Sequence, residues 1–518
     1  MLILSLTSMV MLTSSIQSIT GNSSNIQYTT CKLSRLRVIT TGVVGCFASI
    51  YENIIAFQSQ ESRAGEDLNG DGDFSDYIIR YYDILTGTLK NTGIDGLDPE
   101  IYGDIIAFYT QENLANKDLN GDGDLNDVVI GYYNISSEIY VNTGIEGYNP
   151  SIYRNIIAFH SKDSFIMYYN ISNGELTNTG VKGIYPSIYG NIIVFDAYWV
   201  KYYNLMTKRV VNIGIRGLDV DVFRNIITFQ TQEPEVLKDL NGDGDMNDVV
   251  IWWYNITSGE LTMINVNAWR PKIYGNIIVF HIWEDWSGED LNKDGDKLDN
   301  LIGYYNIKTN ELIVTKVDGC TPSIYSSIIA FDTNRVIRYA HIPIPAKISM
   351  KPTNLNLMSS GKWINAYIEL PEGYNVSNID VSSIMFNDTV FVDLSAPIAI
   401  GDYDNDTIPD LMIRFNWTEV AEYILSAGIA YDNVTLEVSG KLYNGTVFAG
   451  TDTILASALI GDVNIDGKVD VEDIYVTTMA YGSCPTSPRW NPNVNFKKDN
   501  KIDIQDIYLI ARNFGKHA

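Results

Sequence analysis

Seven copies of one eight-residue phrase constrain the architecture of this chain before any local reading does. They read IYENIIAF (Ile50–Phe57), IYGDIIAF (Ile101–Phe108), IYRNIIAF (Ile152–Phe159), IYGNIIVF (Ile188–Phe195), VFRNIITF (Val222–Phe229), IYGNIIVF (Ile273–Phe280) and IYSSIIAF (Ile324–Phe331). Their starts lie 51, 51, 36, 34, 51 and 51 residues apart. Self-similarity at that period belongs to solenoids and propellers, whose units bury their apolar faces only against their neighbours.

The second unit shows what each repeat contains. Pro99–Tyr102, Ile105–Thr110, Val128–Ile135 and Glu138–Thr143 are short β-branched and aromatic runs parted by turn residues, without helical periodicity. Four antiparallel strands per repeat is the pattern of a propeller blade. The seventh unit stops after three strands, at Arg335–Ile342, and the missing strand stands at the other end of the chain. There LRVITTGVVG (Leu36–Gly45) matches LTNTGVKG (Leu176–Gly183). An amino-terminal strand completing the last blade would leave no open sheet edge. The expected fold is mostly β, with a seven-bladed β-propeller over residues 31–343; an open β-solenoid is the alternative. The wording, roughly P-x-I-Y-G-N-x-I-V-F followed by Y-Y-N-I-x-T-G-E, resembles the TolB-like propeller repeats of archaeal and bacterial surface proteins. That resemblance implies fold, and little about function, because propellers host many roles.

Four repeats carry an acidic insert between their second and third strands. The inserts are DLNGDGDFSD (Asp67–Asp76), DLNGDGDLND (Asp118–Asp127), DLNGDGDMND (Asp239–Asp248) and DLNKDGDKLD (Asp290–Asp299). Positions 1, 3, 5, 7 and 10 carry oxygen donors: Asp67, Asn69, Asp71, Asp73 and Asp76; Asp118, Asn120, Asp122, Asp124 and Asp127; Asp239, Asn241, Asp243, Asp245 and Asp248; Asp290, Asn292, Asp294, Asp296 and Asp299. Glycine holds position 6. Hard cations take six to eight oxygens, and alternate residues of a tight loop can aim them at one point, so Ca2+ is the expected cofactor. The bland alternative is a set of hydrophilic turns without an ion. Strand parity puts these loops on the same face as the blade-to-blade connections. Those connections present Tyr148, Tyr185, Trp269 and Arg270, a candidate platform for a sugar ring or peptide, or simply side chains packed beside a central channel.

Cys46 and Cys320 fall at the same place in the first and last blades, which a closed ring makes neighbours. A disulfide between them is expected, with two buried thiols as the alternative. After residue 347 the repeat ends. Residues 348–457 read as strands, including Lys362–Leu370, Asp410–Trp417 and Asn433–Leu442, and an immunoglobulin-like β-sandwich of spacer type fits. Within it Asp402, Asp404, Asp406 and Asp410 form another cation-loop pattern, with Thr407 where glycine is usual.

Residues 459–518 contain two loosely repeated segments, Gly461–Gly482 and Asn493–Gly515, each a twelve-residue acidic loop leading into an apolar run. They resemble a type I dockerin, a small α-helical module with paired EF-hand-like calcium loops that docks its protein onto a cohesin-bearing scaffold. The resemblance assigns metal to Asp462, Asn464, Asp466, Asp470 and Asp473, with Lys468 through its carbonyl, and to Asn495, Asp499, Asp503 and Asp506 in the second loop, where Lys497 and Asn500 depart from the pattern. It also implies that Val471, Glu472, Ile504 and Gln505 help choose the partner.

Residues 1–20, with LILSLTSMVMLTSSIQS, resemble the apolar core and cleavage region of a secretory signal peptide, a short membrane anchor or a disordered tail being the alternative. Ten N-x-S/T sequons fit an extracellular or cell-surface glycoprotein. No later stretch is long and apolar enough for a spanning helix. The net charge of -27 argues against nucleic acid as a partner. Four scattered histidines, and no recognisable nucleophile or phosphate motif, leave no catalytic constellation. The expected function is therefore binding or display of a protein or polysaccharide ligand at a surface. A glycoside hydrolase or lyase acting at the propeller mouth is the alternative.

Overall fold

The computed structural model describes residues 36–517, apart from residues 243, 288–289, 360 and 429–430 and the side chain of Trp286. The expected signal peptide and the loop residue Asp243 lie outside the described residues. The chain divides into two compact units, residues up to Ala340 and from His341 onward.

The first unit is a β-propeller. Among the described residues it holds seven four-stranded antiparallel sheets. Strand β1 (Arg37–Val44) is followed by β2 (Cys46–Tyr51), β3 (Ile54–Gln60), β4 (Tyr77–Asp83) and β5 (Thr88–Asp95), of which β2 to β5 form the first sheet. The repeated phrase spans the inner strand, a tight turn and the next strand. Ile55, Ala56 and Phe57 are consecutive and all 0 % exposed. That run replaces in–out alternation because neighbouring sheets cover both faces of the strand. The glycine that ends six of the seven repeats, Ala268 standing at the fifth, fits the same packing. A Cβ added to Gly96 would stand 2.5 Å from Phe108 Cδ2, so the Phe of one blade sits on the bare backbone that joins it to the last.

Closure is direct. Strand β1 pairs with Val336–His341 in the sheet that begins at Cys320–Tyr325. Thr41 Oγ1 donates to Ile337 O at 2.7 Å, and Gly45 N to Arg335 O at 2.8 Å. Seven aromatic side chains, one from each inner strand, then form an unbroken ring: Tyr51, Tyr102, Tyr153, Tyr189, Phe223, Tyr274 and Tyr325. Successive centroids lie 4.5–4.9 Å apart, and Tyr325 returns to Tyr51 at 4.7 Å. Tilted packing at this distance favours ring edges against ring faces.

The second unit holds two sheets around one core. One follows the order Ile344–Pro345, Val447–Ser457, Tyr431–Leu442, Ile379–Phe386, Val390–Phe391; the other follows Lys347–Lys351, Trp363–Glu369, Asp410–Asn416, Ala399–Gly401. The sequence reading carried the strand through Trp417. The structure instead starts a ten-residue helix there, Trp417–Ser426. Asn416 caps it, accepting from Thr418 N and Glu419 N, and Trp417, Val420, Ala421 and Ile424 go into the core. The end of the unit carries two more ten-residue helices, Val471–Ala480 and Ile504–Asn513. Each begins with a capping box, Asp470 with Asp473 and Asp503 with Asp506. Val463, Val469, Val494, Phe496, Ile502 and Ile510 form their shared core. Asn356 Nδ2 ties this module to the sheets, donating to Asp462 O at 2.6 Å and Leu459 O at 3.1 Å.

Candidate functional site

The four acidic loops repeat one geometry. In the first, Asp67 turns back on its own loop and accepts from Gly70 N at 2.6 Å and Gly72 N at 3.0 Å. Gly72, at position 6, has φ +99, a conformation that L side chains rarely adopt. Asn69 accepts from Asp71 N and donates to Asp76 at 3.1 Å and to Asp95 at 3.0 Å. Asp118, Asp239 and Asp290 make the same two amide contacts in their loops. Positions 1 and 3 therefore brace the loop, while positions 7 and 10 converge elsewhere.

Their meeting point includes a residue outside every expected ligand set. Glu61 opens a four-residue helix, α1 (Glu61–Ala64), directly after β3, and its side chain is fully buried. Glu61, Asp73 and Asp76 bring carboxylate oxygens within 4.8 Å of one another. Glu112 with Asp124 and Asp127, and Glu233 with Asp245 and Asp248, do the same; Asp294, Asp296 and Asp299 converge in the fourth loop. The backbone closes each loop at the same point, with Glu61 N, Glu112 N, Glu233 N and Glu284 N donating to Asp76 O, Asp127 O, Asp248 O and Asp299 O at 2.9–3.0 Å. Burial pushes the Asp76 carboxyl up to about 7, with Asp95, Asp71 and Asp73 adding to the rise and the Asn69 bond opposing it. Acidic oxygens drawn together in this way, two buried and one exposed in each of the first three clusters, fit a divalent cation held by oxygen ligands. Beside the second loop, Lys162 reaches Asp127 at 3.3 Å.

The other acidic loops differ. In the sandwich loop the Lys347 ammonium lies 2.6 Å from Asp404, 2.7 Å from Glu369 and 2.9 Å from Asp406, so a lysine supplies the positive charge there. Asp402 accepts from Asp406 N and Thr407 N, and Thr407 takes φ 77 where a glycine would be unstrained. Asp410 is buried and accepts from Tyr403 N. In the first helical-module loop Asp462 is fully buried and receives Asp466 N, Gly467 N and Ser457 Oγ; burial raises its pKa. Asp473 receives Val463 N at 2.6 Å and Asn464 N at 3.2 Å. In the second loop Lys497 pairs with Asp499 at 3.0 Å, and Asp506 accepts from Lys497 N. Val471 and Ile504, at matched places, are 67 % and 63 % exposed.

A cavity of about 810 Å3 opens at the start of the inner strands. Tyr77, Gln111 and Leu114, which adjoin the first two acidic loops, contribute to its wall, so loops and connections share a face as strand parity predicted. The second residue of every inner strand takes a left-handed conformation: Phe47, Asp98, Asn149, Tyr185, Asp219, Arg270 and Thr321 have φ between 46° and 56°. The pairing register shifts just after each of them, and this bulge turns all seven into the cavity wall. Local strain of this kind clusters at functional sites. Of the expected platform, Tyr148, Tyr185 and Arg270 line the cavity and Trp269 does not. His160 joins them, its ring stacked on Tyr148 at 5.5 Å and tilted against Tyr185 at 5.9 Å.

Below the mouth Glu100, Lys272 and Asp221 form a charged belt, Lys272 Nζ lying 3.4 Å from Glu100 and 3.9 Å from Asp221. Burial works against the ammonium, but the two carboxylates outweigh it and raise its pKa. Burial also raises the Asp98 and Asp219 carboxyls, Arg270 opposing the rise at both. Asn149 Nδ2 donates to Asp98 at 3.1 Å.

The expected Cys46–Cys320 disulfide is corrected here: among the described residues Cys46, Cys320 and Cys484 are free thiols. Cys46 instead faces the Arg335 guanidinium, with Nη1 3.7 Å from its sulfur. Burial, with Asp332 nearby, pushes both thiols up to about 11, which keeps them protonated and unreactive.

No protein-family model matches the chain, and no curated protein matches it. Solved structures similar to part of it include TolB from Acinetobacter baumannii, at 13 % identity over 52 % of this chain and 76 % of that one, with a TM-score of 0.30. BamB from Moraxella catarrhalis shares 11 % identity over 59 % and 86 %, with a TM-score of 0.33. An oligogalacturonate lyase in complex with manganese shares 8 % over 61 % and 96 %, with a TM-score of 0.37.

Proposed function

We propose that this chain is an exported, calcium-stabilised binding protein. In this reading a seven-bladed β-propeller presents a glycan or protein ligand site at its mouth. An immunoglobulin-like sandwich serves as spacer, and a carboxy-terminal dockerin attaches the protein to a cohesin-bearing scaffold at the cell surface. The observation that carries it is the convergence of three carboxylates at the acidic loop of each of four blades, on the face where the cavity opens. Calcium is favoured over softer metals because every side chain in those clusters offers oxygen. The four blade loops and the Asp462 loop are the proposed calcium sites. In the sandwich loop Lys347 takes the cation's part.

The ligand site is the mouth itself. Tyr148, His160 and Tyr185 give an aromatic wall, and Asp98, Asn149, Asp219 and Arg270 give polar groups on strands, the combination that small-molecule sites use. The test is titration of the full chain with a panel of surface polysaccharides in calcium buffer. Saturable binding without bond cleavage is the expected result. Steady release of reducing ends or unsaturated sugars, abolished by Asp98→Asn or Asp219→Asn, would replace this reading with that of a polysaccharide-active enzyme.

A further inference from the structure

We infer that Glu61, Glu112, Glu233 and Glu284 are calcium ligands, each delivered from the first residue of the short helix before its loop into the place that the closing carboxylate fills in an EF-hand-type loop. The inference rests on the calcium reading of the blade loops and adds the ligand that their sequence lacks. In a twelve-residue EF-hand loop the last residue is a bidentate carboxylate that seals the site. The blade loops stop at position 10, and no acidic residue stands at position 12: Ile78, Val129, Val250 and Leu301 stand there, all buried in strands.

The chain carries its own standard for comparison. In the Asp462 loop the position-12 residue, Asp473, accepts the main-chain N–H groups of loop positions 2 and 3, Val463 and Asn464. Glu61 Oε1 accepts the N–H groups of positions 2 and 3 of its own loop, Leu68 at 2.5 Å and Asn69 at 3.2 Å. Glu112 does so with Leu119 and Asn120, Glu233 with Leu240 and Asn241, and Glu284 with Leu291 and Asn292. The glutamate thus repeats in space the contacts of a closing residue, though it lies six residues before the loop.

The second oxygen points to a ligand independently. All four glutamates are 0 % exposed; Oε2 of Glu61 and of Glu284 has no hydrogen-bond partner, while that of Glu112 and of Glu233 accepts the Asp127 and Asp248 amides at 3.3 and 3.2 Å. The neighbouring Asp76 Oδ1 is equally buried and partnerless. A buried carboxylate oxygen without a donor is costly, and a cation removes that cost. The repeats supply a further control. The fourth residue after the phrase's closing Phe is Glu only in the four blades with an acidic loop; Asp163, Trp199 and Arg335 stand there in the others. The residue just before each blade junction varies in step. It is Asp95, Glu146, Asn267 or Asp318 where the loop is present, and Lys182, Arg216 or Val44 where it is absent.

The test counts calcium ions on the full chain by equilibrium dialysis and compares it with the variant E61Q/E112Q/E233Q/E284Q. Glutamine keeps an oxygen for the two loop amides and removes the charge, so far-UV circular dichroism should match the parent. The inference predicts four fewer tightly bound ions, or those four weakened about 10- to 100-fold, with the Asp462 site retained. Should the quadruple variant misfold, single Glu61→Gln and Glu284→Gln chains should each lose one ion. A variant that binds the parent's number of ions with unchanged affinity would overturn the inference and leave the calcium reading standing. A parent chain that binds none would overturn the calcium reading itself.

Discussion

A single glutamate, six residues away from the motif it serves, marks the limit of what the loops disclose in sequence. Alternating oxygen donors and a glycine made the loops legible as cation-type turns. Glu61 was not legible, because a window along the chain sees neighbours in sequence while a metal site collects neighbours in space. Aligning the repeats at the fourth residue after the phrase's closing Phe would have exposed it. The left-handed ring at the mouth was hidden for a related reason, since Asp98, Tyr185 and Arg270 are ordinary residues whose bulged backbone aims them. The histidines yield a prediction at this scale. Burial holds His160 down to about 4, and burial with Arg270 beside it does the same for His281. The unfolded chain takes up these protons from about pH 6.5. Between those values it carries more protons than the folded chain, so their contribution is full above about pH 6.5 and is lost as the pH falls toward 4. The melting temperature of H160Q/H281Q should therefore fall less between about pH 6.5 and 4.5 than that of the parent. Parallel declines would contradict the assignment.

Strands were the most legible elements and helices the least. The repeat revealed each inner pair of strands, because Ile-Ile-Ala-Phe has no helical period and is bounded by turns. The helix Trp417–Ser426 was missed because its cap, Asn416, also ends a strand, and Trp417 reads equally well in either state. The sandwich loop was legible as acidic, but its counter-charge, Lys347, arrives from another strand. Removing it leaves Glu369, Asp404 and Asp406 facing one another. Lys347→Gln should lower the melting temperature in EDTA slightly, by no more than a few degrees, since exposed pairs contribute modestly. Added calcium should recover part of that loss in the variant and give less gain at this loop in the parent. Thermal melts of both proteins with and without the ion provide the check.

At the scale of the whole molecule, sequence alone disclosed the closure. The amino-terminal strand that completes the last sheet was recognised from its match to the fourth strand of other repeats, and the structure pairs Arg37–Val44 with Val336–His341. The ring of touching aromatics follows from the same repeat, since each copy supplies Tyr or Phe at one place. The disulfide was misjudged because equal sequence position in neighbouring blades does not by itself turn two side chains toward each other, and Cys46 lies against Arg335 instead. A chain of charge -27 with its aspartates gathered in loops gains stability by mass action when ions bind those loops in the folded state alone. Calorimetry of the full chain, with bound calcium counted on the same sample before and after EDTA, tests this most directly. The account predicts several bound ions, their removal by EDTA, and a melting temperature that drops on removal and returns when calcium is restored. Unchanged melting in EDTA, with no ions to count beforehand, would contradict it.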